Sequence, residues 1–264
     1  MYFIDSHAHI NDEAFDTDRK DVIEKSLLAG VKNIVEIACE EPEWQQAVDL
    51  CSKYPDVFCA VCGIHPIYAS ARTEEQIKKL KEFLKNPIFR AVGEIGLDYA
   101  WLNSSSEKEQ QAVFDEMLQI AKETNKKVVL HCRKTNEPDD FKAYEDLFSI
   151  MKNHDAEGGI FHCFSARYID AKRALDRGFL LGLNGVISYK RNNDLRDVIK
   201  KIGIEHFVLE TDCPYLPPQT KRGQRNSPQN IPEIAEFLAG LLNISIETCA
   251  QITTENSKKF FNFK

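Results

Sequence analysis

Six side chains able to bind a divalent ion stand where short apolar runs end. His7 and His9 flank Ala8 at the close of the first run, Glu94 falls at the end of the fourth, His131 closes the fifth, His162 the sixth, and Asp212 follows the eighth. Residues two apart in a strand point to the same side, so His7-x-His9 can aim both imidazoles at one ion. Four nitrogen donors and two carboxylates suit a borderline or hard divalent cation. Taken singly, each has a plainer explanation. A lone histidine on an apolar strand is more often a hydrogen-bonded core residue, and a buried Glu or Asp commonly answers to Arg or Lys. The repeated placement of all six argues for a metal centre.

No cysteine joins the set. Cys132, Cys163 and Cys213 each directly follow a ligand candidate, and strand alternation is expected to turn them away from the centre. Cys59 and Cys62 lie three apart in one run, hence on opposite faces, unsuited to a shared metal or a redox pair. There are eight cysteines in all, an even count that invites a disulfide reading. The opening residues show no basic n-region or apolar h-region, so the expectation is reduced thiols in the cytoplasm.

The elements that must position these residues follow from the pattern. Eight apolar runs, at 2–5, 32–38, 57–64, 89–95, 127–131, 159–162, 179–183 and 207–211, read as parallel strands buried on both faces. Amphipathic stretches at 18–29, 41–53, 73–84, 107–124, 141–152, 167–177, 194–201 and 228–242 separate and follow them, and 245–261 reads as a last helix. Thr73 with Gln76 has capping-box spacing, Gly30 and Gly178 suit helix ends, and Ser227-Pro228 reads as an N-cap followed by proline at the first helical position. Eight β-then-α units over 264 residues predict an α/β chain: a single (β/α)8 TIM barrel, domain 1–264, with an extra C-terminal helix. A doubly wound open sheet is the competitor, but no Gly-rich phosphate loop follows the first strand. Active sites of such barrels gather at the C-terminal strand ends, where the six residues lie. The longest irregular connection, 214–227, follows the eighth strand.

Net charge is −7 and the sequence pI about 5.6, which argues against gripping duplex DNA through a broad basic face. No stretch reaches the ~20 apolar residues of a membrane helix, so no membrane association is expected, and no obligate protein partner is evident.

Taken in order, Asp5-Ser6-His7-Ala8-His9, Gly63-Ile64-His65-Pro66, Gly93-Glu94-Ile95-Gly96-Leu97-Asp98-Tyr99, His131-Cys132-Arg133, His162-Cys163-Phe164-Ser165, Glu210-Thr211-Asp212-Cys213-Pro214-Tyr215-Leu216 and Arg225-Asn226 span nearly the whole chain. They resemble the TatD-family metal-dependent deoxyribonucleases, amidohydrolase-like barrels. The resemblance implies two divalent ions, Mg²⁺ or Mn²⁺ with Zn²⁺ as a further candidate. His7 and His9 would hold one, His131 and His162 the other, with Glu94 bridging and Asp212 completing the first. It implies DNA as substrate, cleaved from the 3′ end (3′–5′ exonuclease action) on single-stranded or damaged strands. Two departures are visible: Ser227 stands where the family has Glu, and Ala166 where it has Gly.

Two ions of this kind can clamp the attacking and leaving oxygens of a phosphodiester. Asp212 is then the candidate to steer or accept a proton, as ligand, base or both. Arg133 could reach a phosphate oxygen bidentately or sit in a surface ion pair. His65 could contact substrate or cap a helix, and Arg225 is a third substrate-binding candidate. Tyr99 and Tyr215 read as base-stacking or packing residues. Lys190, Arg191, Lys221 and Arg222 could guide a strand, and Asp98 could support a ligand. Two other functions fit the pattern. One is an amidohydrolase-type hydrolase of a small ester, lactone or phosphate, though many such enzymes bridge their ions with a modified lysine where this chain offers Glu94. The other is a non-enzymatic barrel that binds nucleic acid or protein. Two bound divalent ions would bring the charge from −7 to −3, so binding should depend more on metal than on salt.

Overall fold

Strands apolar on both faces need a layer on each. The computed structural model, which describes residues 1–137 and 139–263, supplies both by closing the sheet. Its strands are β1 (Phe3–Ala8), β2 (Val31–Ala38), β3 (Phe58–Cys62), β4 (Phe89–Asp98), β5 (Lys127–Arg133), β6 (Gly159–Phe161), β7 (Leu180–Leu183) and β8 (Phe207–Leu209). They pair in chain order, and every pair is parallel. A bridge between Ala8 and Cys213 brings the eighth back to the first. There the amide of Asp212 donates to His7 O and that of His9 to Cys213 O, both at 2.9 Å. The result is the expected (β/α)8 barrel.

Around it run α1 (Arg19–Leu28), α2 (Glu41–Lys53), α3 (Glu74–Phe83), α4 (Glu107–Glu123), α5 (Lys142–Asn153), α6 (Tyr168–Leu175), α7 (Asn193–Ile202), α8 (Ile231–Leu242) and α9 (Ile246–Phe261). The alternation sorts side chains into two cores. Ile34 and Ala38 pack outward against helices. Val35 and Ile37 pack inward with Val61, Ala91, Val129, Ile160 and Val208. Cys59 lies in the inner core and Cys62 in the outer, on opposite faces as their spacing predicts. The final helix closes the N-terminal end of the barrel. Phe260 and Phe261 join the inner core, Thr254 Oγ1 donates to Tyr2 O, and Asn256 Nδ2 donates to Glu205 O and Phe207 O.

Helix ends follow local chemistry. Thr73 and Gln76 form the expected capping box, and Gly30 and Gly178 take positive φ just past their helices. Ser227-Pro228 departs from expectation. Residues Pro228–Asn230 make a 3-10 turn before α8, and the Ser227 side chain caps nothing. Asn226 does the structural work there. Its Nδ2 donates to Thr211 O and Tyr215 O, and its Oδ1 accepts from Ser227 N and Asn230 Nδ2.

Candidate metal centre

Strand ends differ from expectation where the site is built. The first strand runs on to Ala8, so His7 is inside it. Strand β4 continues to Asp98, so Glu94 sits in mid-strand instead of at its end. What aims it is a register shift between Val92 and Ile95. Both of those residues face the outer core, although three-residue spacing in a regular strand would oppose them. A bulge of this kind re-aims a side chain, and Glu94 points into the mouth. Gly96 lets β4 approach β5: its φ is +140°, and a Cβ there would stand 1.9 Å from His131 O. Past the last two site strands the chain turns through left-handed residues, Cys163 (φ 46°) and Asp212 (φ 58°). The turn at Cys163 defeats the alternation argument for that residue. Cys132 and Cys213 pack in the outer core, although Cys132 also borders the mouth, and Cys163 lines the mouth.

Glu94, only 3% exposed, is the hub. Its Oε1 lies 2.6 Å from His131 Nδ1, 3.3 Å from His162 Nε2 and 3.6 Å from His65 Nε2. Its Oε2 lies 3.3 Å from His7 Nε2 and 3.6 Å from the Cys39 thiol. Asp212 Oδ1 lies 3.4 Å from His9 Nε2 and 3.7 Å from His7 Nε2. All six predicted ligands therefore converge. Three subsets have donor atoms mutually within 4.8 Å: His7–His9–Asp212, His7–Glu94–His162 and His65–Asp98–His131. The first matches the set expected for one ion. His131 and His162 meet at Glu94 Oε1, with ring centroids 5.9 Å apart, while His162 stacks on His7 at 3.5 Å.

Carboxylates behind the ligands hold them. Asp98 Oδ2 lies 3.0 Å from His131 Nε2, and Gln110 clamps the Asp98 backbone by accepting from its N–H (2.7 Å) and donating to its carbonyl (3.0 Å). Glu210 Oε1 lies 3.0 Å from His162 Nδ1 and accepts from Cys163 N at 2.7 Å. Asp5 accepts from Thr211 N, Thr211 Oγ1 and His7 N, and Glu36 from Ile10 N and Asn11 N. Sequence reading anticipated Asp98 in this role. It missed Glu36 and Glu210, each a carboxylate inside an apolar run and Glu210 also within the Glu210-Thr211-Asp212 motif, and Cys39, which follows the second run and carries no signal.

The charges are strongly coupled. Burial pushes Asp5 up to about 7 and Glu36 up to about 8, against their hydrogen bonds. Burial works against ionising the histidines too. Nonetheless Glu94 and Asp98 raise His131 to about 10, Glu210 and Glu94 raise His162 to about 9, and Asp212 raises His9 to about 9. Burial opposes ionisation of Glu94, but the surrounding imidazoles hold it well below the carboxylate range. His65, desolvated, falls to about 3. Its Nδ1 accepts from Ile67 N, so it both caps the 3-10 turn Pro66–Ala71 and faces Glu94.

Several buried polar atoms have no aligned hydrogen-bond partner, and among them are both ring nitrogens of His7. Imidazole nitrogens aimed at carboxylates, yet unaligned for hydrogen bonds, are the donor set a divalent cation satisfies. The residues fit such a group.

The centre lies at the base of a cavity of about 770 Å³ lined also by His65, Trp101, Arg133, Tyr189, Arg191 and Tyr215. Arg225, expected among the substrate contacts, is not in its lining. Its guanidinium is bidentate on Asp18 (2.9 and 2.5 Å) and donates to Ala14 O. Tyr99 is buried, with its hydroxyl on Asp146 at 2.8 Å, so it packs. Lys221 is held by Asn230 and Glu233, and Arg222 stacks on Tyr189.

The sequence model of the family described as TatD related DNase matches residues 4–262. An uncharacterized metal-dependent hydrolase of Bacillus subtilis, YabD, is 36% identical over 259 residues, covering 97% of this chain and 98% of the relative. The uncharacterized metal-dependent hydrolase TatD of Mycobacterium tuberculosis is 31% identical, covering 98% and 97%. Among solved structures, the TatD homolog YJJV of Escherichia coli superposes with a TM-score of 0.89 at 30% identity, over 98% of each chain.

Proposed function

The chain belongs to the TatD-related DNase family of metal-dependent hydrolases, and from that premise we propose that it hydrolyses DNA phosphodiesters, acting as a 3′–5′ exonuclease on single-stranded or damaged strands. The observation that carries this reading is the convergence of four imidazoles, those of His7, His9, His131 and His162, with the carboxylates of Glu94 and Asp212 at the floor of an open cavity. In this reading His7, His9 and Asp212 would hold one divalent ion and His131 and His162 a second, with Glu94 available to both. Mg²⁺ or Mn²⁺ is the favoured ion, with Zn²⁺ also compatible with the donor set. Bound there, such ions supply Lewis acidity toward a phosphoryl oxygen and ease the loss of a proton from water near neutral pH.

The chain's own residues do the rest. Asp212, at the rim of the His7–His9 group, takes the proton released from the attacking water. Asp98 and Glu210 fix the rings of His131 and His162, as carboxylates commonly do behind metal-binding histidines. His65, whose Nδ1 is engaged by Ile67 N, presents Nε2–H toward the centre as a hydrogen-bond donor. Arg133, exposed at the end of β5, binds a phosphate oxygen. Apolar walls such as Val186 and Leu216 limit competing water.

Digestion of an end-labelled single-stranded oligonucleotide, with Mg²⁺, Mn²⁺, Zn²⁺ and EDTA in parallel, tests the proposal. A ladder growing from the 3′ end, abolished by EDTA, is expected. Hydrolysis of small esters or lactones with the oligonucleotide left intact would replace this reading with the amidohydrolase-type one.

A further inference from the structure

We propose that Trp101 is the base-stacking platform of the mouth and selects unpaired, base-bearing strands; this rests on the nuclease reading above. Trp101 is 54% exposed and lines the same cavity as Glu94. It stands three residues past Asp98, the carboxylate that holds His131. An indole half out in water forgoes favourable burial, yet the backbone that carries it is hydrogen-bonded on both sides. Its N–H donates to Asp98 O, its carbonyl accepts from Ser104 N, and Gln110 and Ser105 pin the flanking loop to the barrel and to Ile67 O. A fixed backbone carrying a free aromatic face is what a stacking surface requires, since every base has a π-face.

The surroundings of Trp101 favour a phosphate backbone. Strand order places the segments after β4 through β7 on one half of the barrel mouth. That half carries Trp101, Arg133 and Arg191, and both arginines are exposed. Arg167 is tied to Asp170 and Arg225 to Asp18, whereas Arg133, which lies near Asp98, and Arg191 are exposed without a close ion pair among the described residues. The opposite half carries Asp12 and Glu43 in the cavity wall and opens into a hollow that adds Glu13, Asp21, Glu40 and Asp49 against Lys20 and Lys53, its Asp16 and Asp18 being paired with Arg19 and Arg225. A strand is drawn to the arginine side and repelled from the acidic side, so its bases pass Trp101. Bases inside a duplex are stacked on each other on both faces and cannot use the indole.

The chain has two tryptophans, and Trp44 is fully buried, so a ligand-induced change in exposed tryptophan emission reports Trp101. The test uses the full-length Mg²⁺-loaded protein and a dye-labelled single-stranded oligonucleotide with hydrolysis-resistant phosphorothioate linkages. Binding should quench the Trp101 emission. Trp101→Ala should weaken binding about tenfold, and Trp101→Phe should restore most of it. An oligonucleotide whose terminal nucleotides lack bases should bind wild type and Trp101→Ala alike, because removing indole and base deletes the same contact. Binding seen by anisotropy with unmoved tryptophan emission, or equal affinity of Trp101→Ala and wild type for the base-bearing strand, overturns the proposal. Those results leave the nuclease reading intact if wild type still digests ordinary oligonucleotide. Wild type that neither binds nor digests DNA sinks both.

Discussion

Gly182 lacks a side chain where Glu210 needs the room: a Cβ at 182 would stand 2.2 Å from Glu210 Oε2. The carboxylate it accommodates orients His162 from behind, so a neighbouring strand's glycine is part of the metal centre without touching it. Gly182→Ala should displace Glu210, cost about 1–3 kcal/mol of stability by overpacking, and lower metal affinity about 10- to 100-fold through loss of the buttress. Thermal unfolding and metal titration of the same variant check both effects. A variant with wild-type metal affinity would show that Glu210 does not orient His162.

Glu94→Gln should lower DNA hydrolysis at least about 10²- to 10³-fold. The amide keeps the shape of the side chain but removes the negative charge at which four imidazoles point. Circular dichroism should show the barrel intact. Metal that binds the native state stabilises it by mass action, about 2.7 kcal/mol at a hundredfold excess over Kd. Adding Mg²⁺ or Mn²⁺ should therefore raise the Tm of the wild type, EDTA should reverse the rise, and Glu94→Gln should show little of either. An equal metal-induced rise in the variant would place the ions elsewhere.

The strand-end histidines were legible in the sequence because each residue of interest is bounded by an apolar run. What lay beyond it depended on departures from regular periodicity. The bulge that turns Glu94 inward breaks the alternation from which its direction would be read, and the left-handed turn at Cys163 reverses the expectation for that thiol. The partners His131–Asp98 and His162–Glu210 differ in legibility for a related reason. Asp98 and His131 stand on neighbouring strands, β4 and β5, that pair directly, whereas Glu210 and His162 follow β8 and β6, which are not neighbours in the sheet. Asp98→Asn should weaken metal binding about tenfold or more, measured by competition with a chelator; unaltered affinity would make the Asp98–His131 contact incidental.

Arg133 and Arg225 were indistinguishable as isolated basic residues, and the structure separates them. Arg133 is exposed in the cavity lining; Arg225 is committed to Asp18. Arg133→Ala should raise KM for an oligonucleotide about tenfold, the size of a lost charge-assisted phosphate contact, with a smaller change in kcat. Arg225→Ala breaks an exposed ion pair worth about 1 kcal/mol or less and should leave KM nearly as it was. Steady-state kinetics on both variants decides. A larger KM effect at Arg225 would mean that the Asp18 pair opens to admit substrate.

Phe261 tests the last helix. It is fully buried at the end of α9, where it packs with Val35, Val61, Val129 and Val208 inside the barrel. Phe260 joins it in the inner core and Cys249 and Ala250 pack in the outer one, and hydrogen bonds tie α9 to the starts of β1 and β8. Truncating a buried phenylalanine costs about 3–5 kcal/mol, because the contacts are lost and the cavity collapses only in part. At roughly 2–4 °C per kcal/mol for a domain near this size, Phe261→Ala should lower the Tm by about 10 °C. The metal centre sits at the opposite end of the barrel, where the strands end, and effects of well-separated sites are close to additive. Activity per folded molecule at 25 °C should therefore stay near wild type. A Tm within 1–2 °C of wild type would mean that the inner core does not depend on this floor. An activity loss exceeding the folded fraction would mean that α9 reaches the metal centre through the barrel wall.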